Sequence, residues 1–298
     1  MNESIKDINT QSSDNIVVKN TNSKKIEIVL ACLALIFLAL FIIFLNLYIH
    51  EKSKKSCDCD IFDSIFKLSQ EQFIPVKENM DDGEGAYELR GSFDHLNSKY
   101  FKSFDIYNTK SSGSLILLEK FKTYQQTSSY SCGCASLIMA IHYLDGTIIG
   151  EQDCSIKAKS NPINGTLPEN LEIAISEYGY DYESKGKGFD NDEIPSLDEY
   201  KFSEYLKNSL KQNESVIVLS NDWGGHYTVV IGYDDMGTDD IEDDVVIIAD
   251  PFDTTDHIDD GYTIWSYERL YFQMVEEVFG IPDNNYYFIK VKRNSTSI

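Results

Sequence analysis

The sequence predicts an α+β fold, with most helices in the first part of the folded region and most strands in the second. Helical patterns lie mainly before residue 215, while β-branched runs bounded by turn residues lie mainly after it. The two kinds of segment do not alternate, as they would in a doubly wound parallel sheet. A long uncharged run precedes both, so the fold is expected to stand behind one N-terminal transmembrane helix.

The transmembrane helix is predicted at residues 26–50. Residues 28–45 read IVLACLALIFLALFIIFL, and this run lacks the polar face that a buried soluble helix normally shows. A cleaved signal peptide is the alternative, but the run is longer than a usual signal core and no small-x-small cleavage site follows it. Cys32 is expected to be a thiol buried in lipid.

The orientation of this helix is not decided by its flanking lysines, since three lie close to each end. Residues 1–25 are short and polar, which favours a cytoplasmic N-terminal stub. The expected protein therefore crosses the cell membrane once and has an extracellular C-terminal domain. Residues 51–113 are assigned to a stalk and N-terminal extension, and residues 114–293 to the folded domain.

Three helices are predicted in the folded region. The first runs from Cys132 to Leu144 and is closed by an Asp-Gly pair. The second follows Thr166, with Pro168 in its first turn and a glycine past its end. The third is marked by the capping box Ser196-Leu197-Asp198-Glu199.

Strands are predicted on both sides of these helices. The β-branched and apolar runs lie at residues 114–121, 215–220, 226–233, 244–250 and 286–292. Residues 265–277, between the last two runs, have a helical pattern.

The charge of the chain excludes one class of partner. The net charge at pH 7 is −23, and residues 1–50 add nothing to it because their four basic and four acidic side chains cancel. Such an acidic domain repels nucleic acid, so no nucleic-acid partner is expected. Residues 234–260 hold twelve of the acids and no Lys or Arg. The EF-hand pattern is absent there, so a solvated hairpin loop is predicted rather than a calcium site.

Four of the six cysteines are candidates for disulfides, namely Cys57, Cys59, Cys134 and Cys154. Outside the cell they allow three connectivities, which the sequence does not separate. Cys57 and Cys59 have no second pair and no histidine cluster nearby, so no metal is expected.

Three residues distant in sequence form a candidate catalytic set. Cys132 stands at a helix start, where backbone N–H groups favour the thiolate. His226 opens a predicted strand and Asp250 ends the next one. Taken singly, His226 is more often a core or surface histidine and Asp250 a turn former, and Cys132 has the alternative of a small buried thiol. If the two strands pair antiparallel, the start of one lies beside the end of the other, and the set supplies a nucleophile, a base and an orienting acceptor.

Two neighbours complete this set. Gln126, six residues before the cysteine, is placed to turn its amide toward the thiol. Together with the backbone N–H of Cys132 it would form an oxyanion hole. Gly133 is expected to let a substrate approach the helix start closely.

The order of these motifs resembles the C39-like branch of the papain-like cysteine peptidases. The matching segments are Gln126…Cys132-Gly133, His226-Tyr227-Thr228-Val229-Val230-Ile231-Gly232-Tyr233 and Ala249-Asp250-Pro251. The resemblance covers roughly residues 114–292. It implies a papain-like fold with a helical half that carries the cysteine and an antiparallel sheet half that carries His and Asp. It also implies Cys132 as nucleophile, His226 as base and acid, Asp250 as orienting residue and Gln126 as oxyanion donor.

The function expected from this resemblance is a membrane-anchored cysteine peptidase that cuts a peptide or protein substrate through a thioester, with no metal or organic cofactor. An acyl or amide transferase on the same fold, an inactive surface-binding module and a Cys-x-Cys redox protein are the alternatives. The chain has no G-x-x-x-x-G-K-[ST] phosphate loop, so the leader-peptide cleavage of transporter-linked members is not assumed. Cys134 stands where a small residue is usual in the family, and it is expected to be buried or bridged.

Overall fold

A computed structural model describes residues 30, 70–80, 84–90, 98–102, 104–185, 198–254, 256, 258–275 and 286–294. The chain divides into two units, Met1–Lys67 and Leu68–Ile298, and only Leu30 of the first unit is described. Within the described ranges no helix is both long enough and apolar enough to span a bilayer. The predicted transmembrane helix at residues 26–50, apart from Leu30, lies outside the described residues, as do the stub at residues 1–25, Cys57 and Cys59.

The described part of Leu68–Ile298 has helices first and a sheet later, as predicted. Its helices are α1 (Ala86–Arg90), α2 (Cys132–Asp145), α3 (Glu151–Lys157), α4 (Pro168–Glu177), α5 (Glu199–Lys211) and α6 (Tyr267–Val275). Its strands are β1 (Leu115–Leu117), β2 (Asp181–Ser184), β3 (Val216–Ser220), β4 (His226–Asp234), β5 (Val245–Ala249), β6 (Tyr262–Ser266) and β7 (Phe288–Lys292). Short 3-10 turns lie at Gln70–Gln72, Asp222–Gly224 and Ile241–Asp243.

The described strands form one antiparallel sheet in the order β2-β7-β3-β4-β5-β6, and β1 pairs with the far end of β4. Strand β4 is central and is buried along its length up to Tyr233, because its run of apolar residues has no solvent face. In the β4–β5 pair, Val229 lies opposite Ala249. Asp250 therefore follows β5 at the edge of the sheet where β4 begins with His226.

Helix α2 packs against strand β4. Its residues from Cys132 to Ile141 are all buried, as expected for a helix that is apolar on every side. Each large side chain in this run, such as the fully buried Leu137, contributes about 1.5–3 kcal/mol by leaving water. The Ser136 hydroxyl donates to the Tyr227 carbonyl at 3.1 Å, which fixes α2 against β4. The helix ends at Gly146, where a left-handed φ of 83° lets its N–H bond the His142 carbonyl.

Three boundaries differ from the sequence prediction. The helix predicted at residues 265–277 begins only at Tyr267, because the two residues before it complete the pairing of β6 with β5. The third helix begins at Glu199 with Asp198 as its N-cap, whose carboxylate accepts from the Tyr200 N–H at 2.9 Å. The predicted capping box made Ser196 the N-cap, and this part of the prediction is wrong. Ser196 itself lies outside the described residues. The strand predicted at residues 114–121 is limited to β1. Strands β2 and β6 and helices α1 and α3 were not predicted.

Candidate active site

Cys132 is the first residue of α2, and only 6% of it is exposed. Ser131 precedes it as the N-cap but makes no side-chain hydrogen bond to the helix. Gly133 follows, and an added Cβ there would lie 2.8 Å from the Thr166 Cβ. The space beside Gly133 is therefore filled by Thr166, and the expectation that this glycine makes room for a substrate is replaced by a packing reason.

His226 and Asp250 lie side by side. His226 is 4% exposed, and its Nε2 is 2.7 Å from Asp250 Oδ1. The same carboxylate oxygen accepts the backbone N–H of Phe252 at 2.8 Å, which holds the acid in place. The loop before His226 is tightly turned, with positive φ at Trp223, Gly224 and Gly225. This turn brings the histidine to the sheet edge at the start of β4.

The imidazole of His226 lies between a carboxylate and a sulfur. The Cys132 sulfur lies close enough to raise the pKa of the ring, and since Nε2 faces Asp250, Nδ1 is the nitrogen left to face it. Burial lowers the pKa of His226, but the charge and hydrogen bond of Asp250 and the contact with Cys132 outweigh it and raise the pKa to about 10. The raised pKa therefore favours the imidazolium form of the ring at neutral pH.

Gln126 is buried beside this group, but its amide is turned to its own loop. Its Nε2 donates to the Ser128 carbonyl at 2.6 Å, while its Oε1 is buried without a hydrogen-bond partner in the described residues. An amide nitrogen carries two hydrogens. One hydrogen of Gln126 therefore remains without a protein acceptor in the described part of the chain.

Gln125 is a site residue that the sequence interpretation missed. Its Nε2 donates to the Asp250 carbonyl at 2.7 Å, and its Oε1 accepts from the Asp253 N–H at 3.1 Å. The Gln126 N–H also donates to the Pro251 carbonyl at 2.8 Å. The two adjacent glutamines thus join the loop before Cys132 to the turn that carries Asp250, and their adjacency in the sequence was the available signal.

Two aromatic residues border the pair formed by His226 and Asp250, and neither was predicted. The Phe252 ring meets the His226 ring edge-on, with 6.4 Å between centroids. Trp223 meets Phe252 in the same way at 5.8 Å and is 74% exposed. Phe252 shields the hydrogen bond between histidine and aspartate from water, and Trp223 presents an apolar face beside it.

The other described cysteines lie deeper. Cys132, Cys134 and Cys154 are all free thiols. Cys134 was predicted to be buried or bridged, and it is fully buried. Its sulfur lies 3.7 Å from the Ser160 hydroxyl. Burial, followed by the hydrogen bond from Cys134, raises the pKa of Cys154 well above its ordinary value, so this thiol stays protonated.

The acidic side chains between strands β4 and β5 lie in turns. Asp234 and Asp235 accept the backbone N–H groups of Met236 and Gly237, and Asp240 caps the turn that follows. Among the described residues, no group of three His, Cys, Asp or Glu side chains is placed to hold a metal ion.

Comparison with known proteins gives one family match. The family described as "Peptidase_C39 like family" matches residues 118–277, more than half of the 298 residues. No curated protein matches the chain.

Solved structures similar to this chain include three peptidases. The peptidase domain of Streptococcus ComA, a bi-functional ABC transporter in a quorum sensing pathway, is 20% identical, with a TM-score of 0.35, over 58% of this chain and 99% of that one. A double glycine motif protease from an AMS/PCAT transporter, in complex with its leader peptide, is 15% identical, with a TM-score of 0.34, over 58% and 91%. Xylellain, a cysteine protease from Xylella fastidiosa, is 14% identical, with a TM-score of 0.33, over 74% and 100%.

Proposed function

Because the chain belongs to the C39-like family of cysteine peptidases, we propose that it hydrolyses peptide bonds and that Cys132 is its nucleophile. The observation that carries this assignment is the position of the His226 ring, which lies 2.7 Å from Asp250 on one side and whose pKa is also raised by the nearby Cys132 sulfur. An imidazolium beside the sulfur favours the thiolate, which is the attacking form. The start of α2 adds backbone N–H groups with the same effect.

The proposed reaction has two halves. The Cys132 sulfur attacks the peptide carbonyl carbon, and the oxyanion that forms is stabilised by the Cys132 backbone N–H and the second amide hydrogen of Gln126. His226 gives its proton to the amine, the C–N bond breaks and a thioester remains. His226 then takes a proton from water, which attacks the thioester and releases the carboxylic acid and the thiolate. Asp250 holds the ring so that Nδ1 faces the sulfur throughout.

The substrate class follows from the family and from charge. A peptide or protein is the expected substrate, and the net charge of −23 favours basic or neutral segments near the domain. The exposed Trp223 ring offers an apolar contact beside Phe252, whose ring packs on His226. No nucleic-acid partner is proposed.

Incubating the full chain in detergent with a peptide mixture is expected to generate new amino termini, detected by mass spectrometry. The Cys132→Ala variant should generate none, because no thioester can form without the sulfur. Cleavage that persists in this variant would exclude Cys132 as nucleophile. Peptides joined to an added amine instead of water would indicate a transferase, and saturable binding without cleavage would indicate a binding module.

We further propose that residues 26–50 anchor this peptidase in the cell membrane, with the C-terminal domain outside. Support comes from the uncharged run at residues 28–45. The full chain is expected to stay with membranes after an alkaline carbonate wash, whereas a chain lacking residues 26–50 should be released. In intact cells treated with an impermeant reductant, which opens any disulfide of these residues, an impermeant maleimide should label Cys57 and Cys59. A full chain recovered in the soluble fraction, or labelling only after lysis, would contradict the anchor or its orientation.

A further inference from the structure

A buried carboxylate outside the proposed triad lies behind the loop that leads into Cys132. Glu151, the first residue of α3, is 0% exposed. Its Oε1 accepts from the Thr127 N–H at 2.9 Å and from the Ser131 hydroxyl at 2.5 Å. Its Oε2 accepts from the Tyr124 hydroxyl at 2.8 Å and from the Thr127 hydroxyl at 2.7 Å. A carboxylate has about four acceptor positions, so one short loop fills them all.

This carboxylate is costly to bury. No Lys or Arg pairs with Glu151 in the part of the chain that the structure describes, and a buried charge without a cation lowers stability unless hydrogen bonds compensate. All four donors come from the segment between Tyr124 and Ser131. That segment carries Gln126 and ends directly at the nucleophile. The contacts of Glu151 therefore fix the conformation of the loop that carries the proposed oxyanion donor.

The hydrogen bond to Ser131 has a specific consequence for α2. A serine at the N-cap normally accepts from the N–H of the second or third helical residue, here Gly133 or Cys134. The Ser131 hydroxyl instead donates to Glu151 and accepts from the Ser128 hydroxyl at 2.6 Å, and it makes no capping bond. The first N–H groups of α2 consequently have no protein acceptor among the described residues.

We infer that Glu151 is a positioning residue for the nucleophile: by holding the Ser131 hydroxyl, it keeps the first N–H groups of α2 free to stabilise the Cys132 thiolate and the oxyanion. This inference rests on the proposed function of Cys132. When Glu151 is absent, the Ser131 hydroxyl turns to the helix and caps it. The helix is then better capped, but the sulfur loses part of its stabilisation.

The test is the rate at which iodoacetamide alkylates Cys132 in the full chain, measured from pH 5 to 9 and read by peptide mass mapping. Glu151→Gln keeps the shape but replaces the charged acceptor of the Ser131 hydroxyl with a weaker, neutral one, and it is expected to slow alkylation at pH 7 by about tenfold. The pH of half-maximal rate should rise. In a Ser131→Ala background, Glu151→Gln should slow alkylation by a clearly smaller factor, because no hydroxyl remains to cap the helix.

Glu172→Gln is the matched control. Glu172 on α4 also accepts hydroxyl groups, from Ser184 at 2.7 Å, from Tyr182 at 3.1 Å and from Tyr287 at 3.2 Å, and among the described residues it makes no hydrogen bond to the loop before Cys132. Its substitution should lower stability without changing the alkylation of Cys132.

Several outcomes would overturn the inference. An unchanged alkylation rate in Glu151→Gln would overturn it. An equal slowing of alkylation by Glu151→Gln in the Ser131→Ala background would also overturn it, because it would indicate general disorder of the loop. If Glu151→Gln does not fold, Ser131→Asp provides the test without changing Glu151. Its carboxylate is repelled by Glu151 and should cap α2 and slow alkylation, so a normal rate would contradict the inference. Slow alkylation of the wild-type chain that is insensitive to His226→Ala would instead reject the proposed function itself.

Discussion

Replacing His226 with alanine is expected to lower peptide hydrolysis by about 10³-fold or more, because the variant loses both the partner of the thiolate and the proton donor for the leaving amine. Alkylation of Cys132 by iodoacetamide near neutral pH should slow in parallel, since no imidazolium remains beside the sulfur. Both rates are measured on the full chain, with peptide mapping to separate Cys132 from the other thiols. A smaller loss of hydrolysis than of alkylation would assign the proton transfer to another group.

His142→Ala is the matched control for this prediction. His142 lies near the other end of α2 and is half-buried, and burial followed by the charge of Lys122 lowers its pKa. Its substitution should leave hydrolysis and alkylation unchanged. Hydrolysis that persists in His226→Ala but is lost in His142→Ala would identify His142 as the base and contradict the proposed mechanism.

The elements that carry the site were predictable because their patterns are strong. Cys132 to Leu144 reads as a helix because it is a long apolar run without proline that is followed by a glycine stop. Strands β4 and β5 read as strands because they are continuous β-branched runs. Their antiparallel pairing was the condition for bringing His226 beside Asp250, and the structure has that pairing.

What could not be predicted depends on partners distant in sequence. Strand β6 exists because its residues pair with β5, as Trp265 does with Val246, and this pairing overrides a local helical pattern. The spacing between Gln126 and Cys132 indicates where the Gln126 backbone lies but not which rotamer its side chain adopts. The hydrogen bond from the Gln126 amide to the Ser128 carbonyl was therefore not foreseeable. The role of Ser131 was hidden for the same reason, since its hydroxyl partner Glu151 lies 20 residues away.

The second large effect concerns the charge of Asp250. Asp250→Asn keeps the size of the side chain and an oxygen to accept the Phe252 N–H, but it removes the negative charge that faces Nε2. Burial of the ring lowers the pKa of His226, and this substitution removes the charge that mainly counteracts it. We expect the imidazole to be largely neutral at pH 7 in this variant and peptide hydrolysis to fall by about 10²–10⁴-fold.

The same substitution should change how stability depends on pH. In the native protein the pKa of His226 is raised to about 10, whereas in the unfolded chain a histidine titrates near its ordinary value of about 6.5. The protonated ring therefore contributes stability fully below about pH 6.5, and the contribution is lost as the pH rises toward about 10. The loss is on the order of a few kcal/mol in the free energy of unfolding.

Urea unfolding at pH 6, 8 and 10 measures this contribution as the difference between the wild type and His226→Gln at each pH, so that other titrating groups cancel. The difference should shrink steadily from pH 6 to pH 10. When the comparison is repeated in the Asp250→Asn background, the difference should be nearly independent of pH, because the ring is neutral in the folded state over most of that range. Parallel curves in the two backgrounds would mean that Asp250 does not hold the proton on His226. The thiolate would then need another source of stabilisation, for which the uncapped N–H groups at the start of α2 are the remaining candidates.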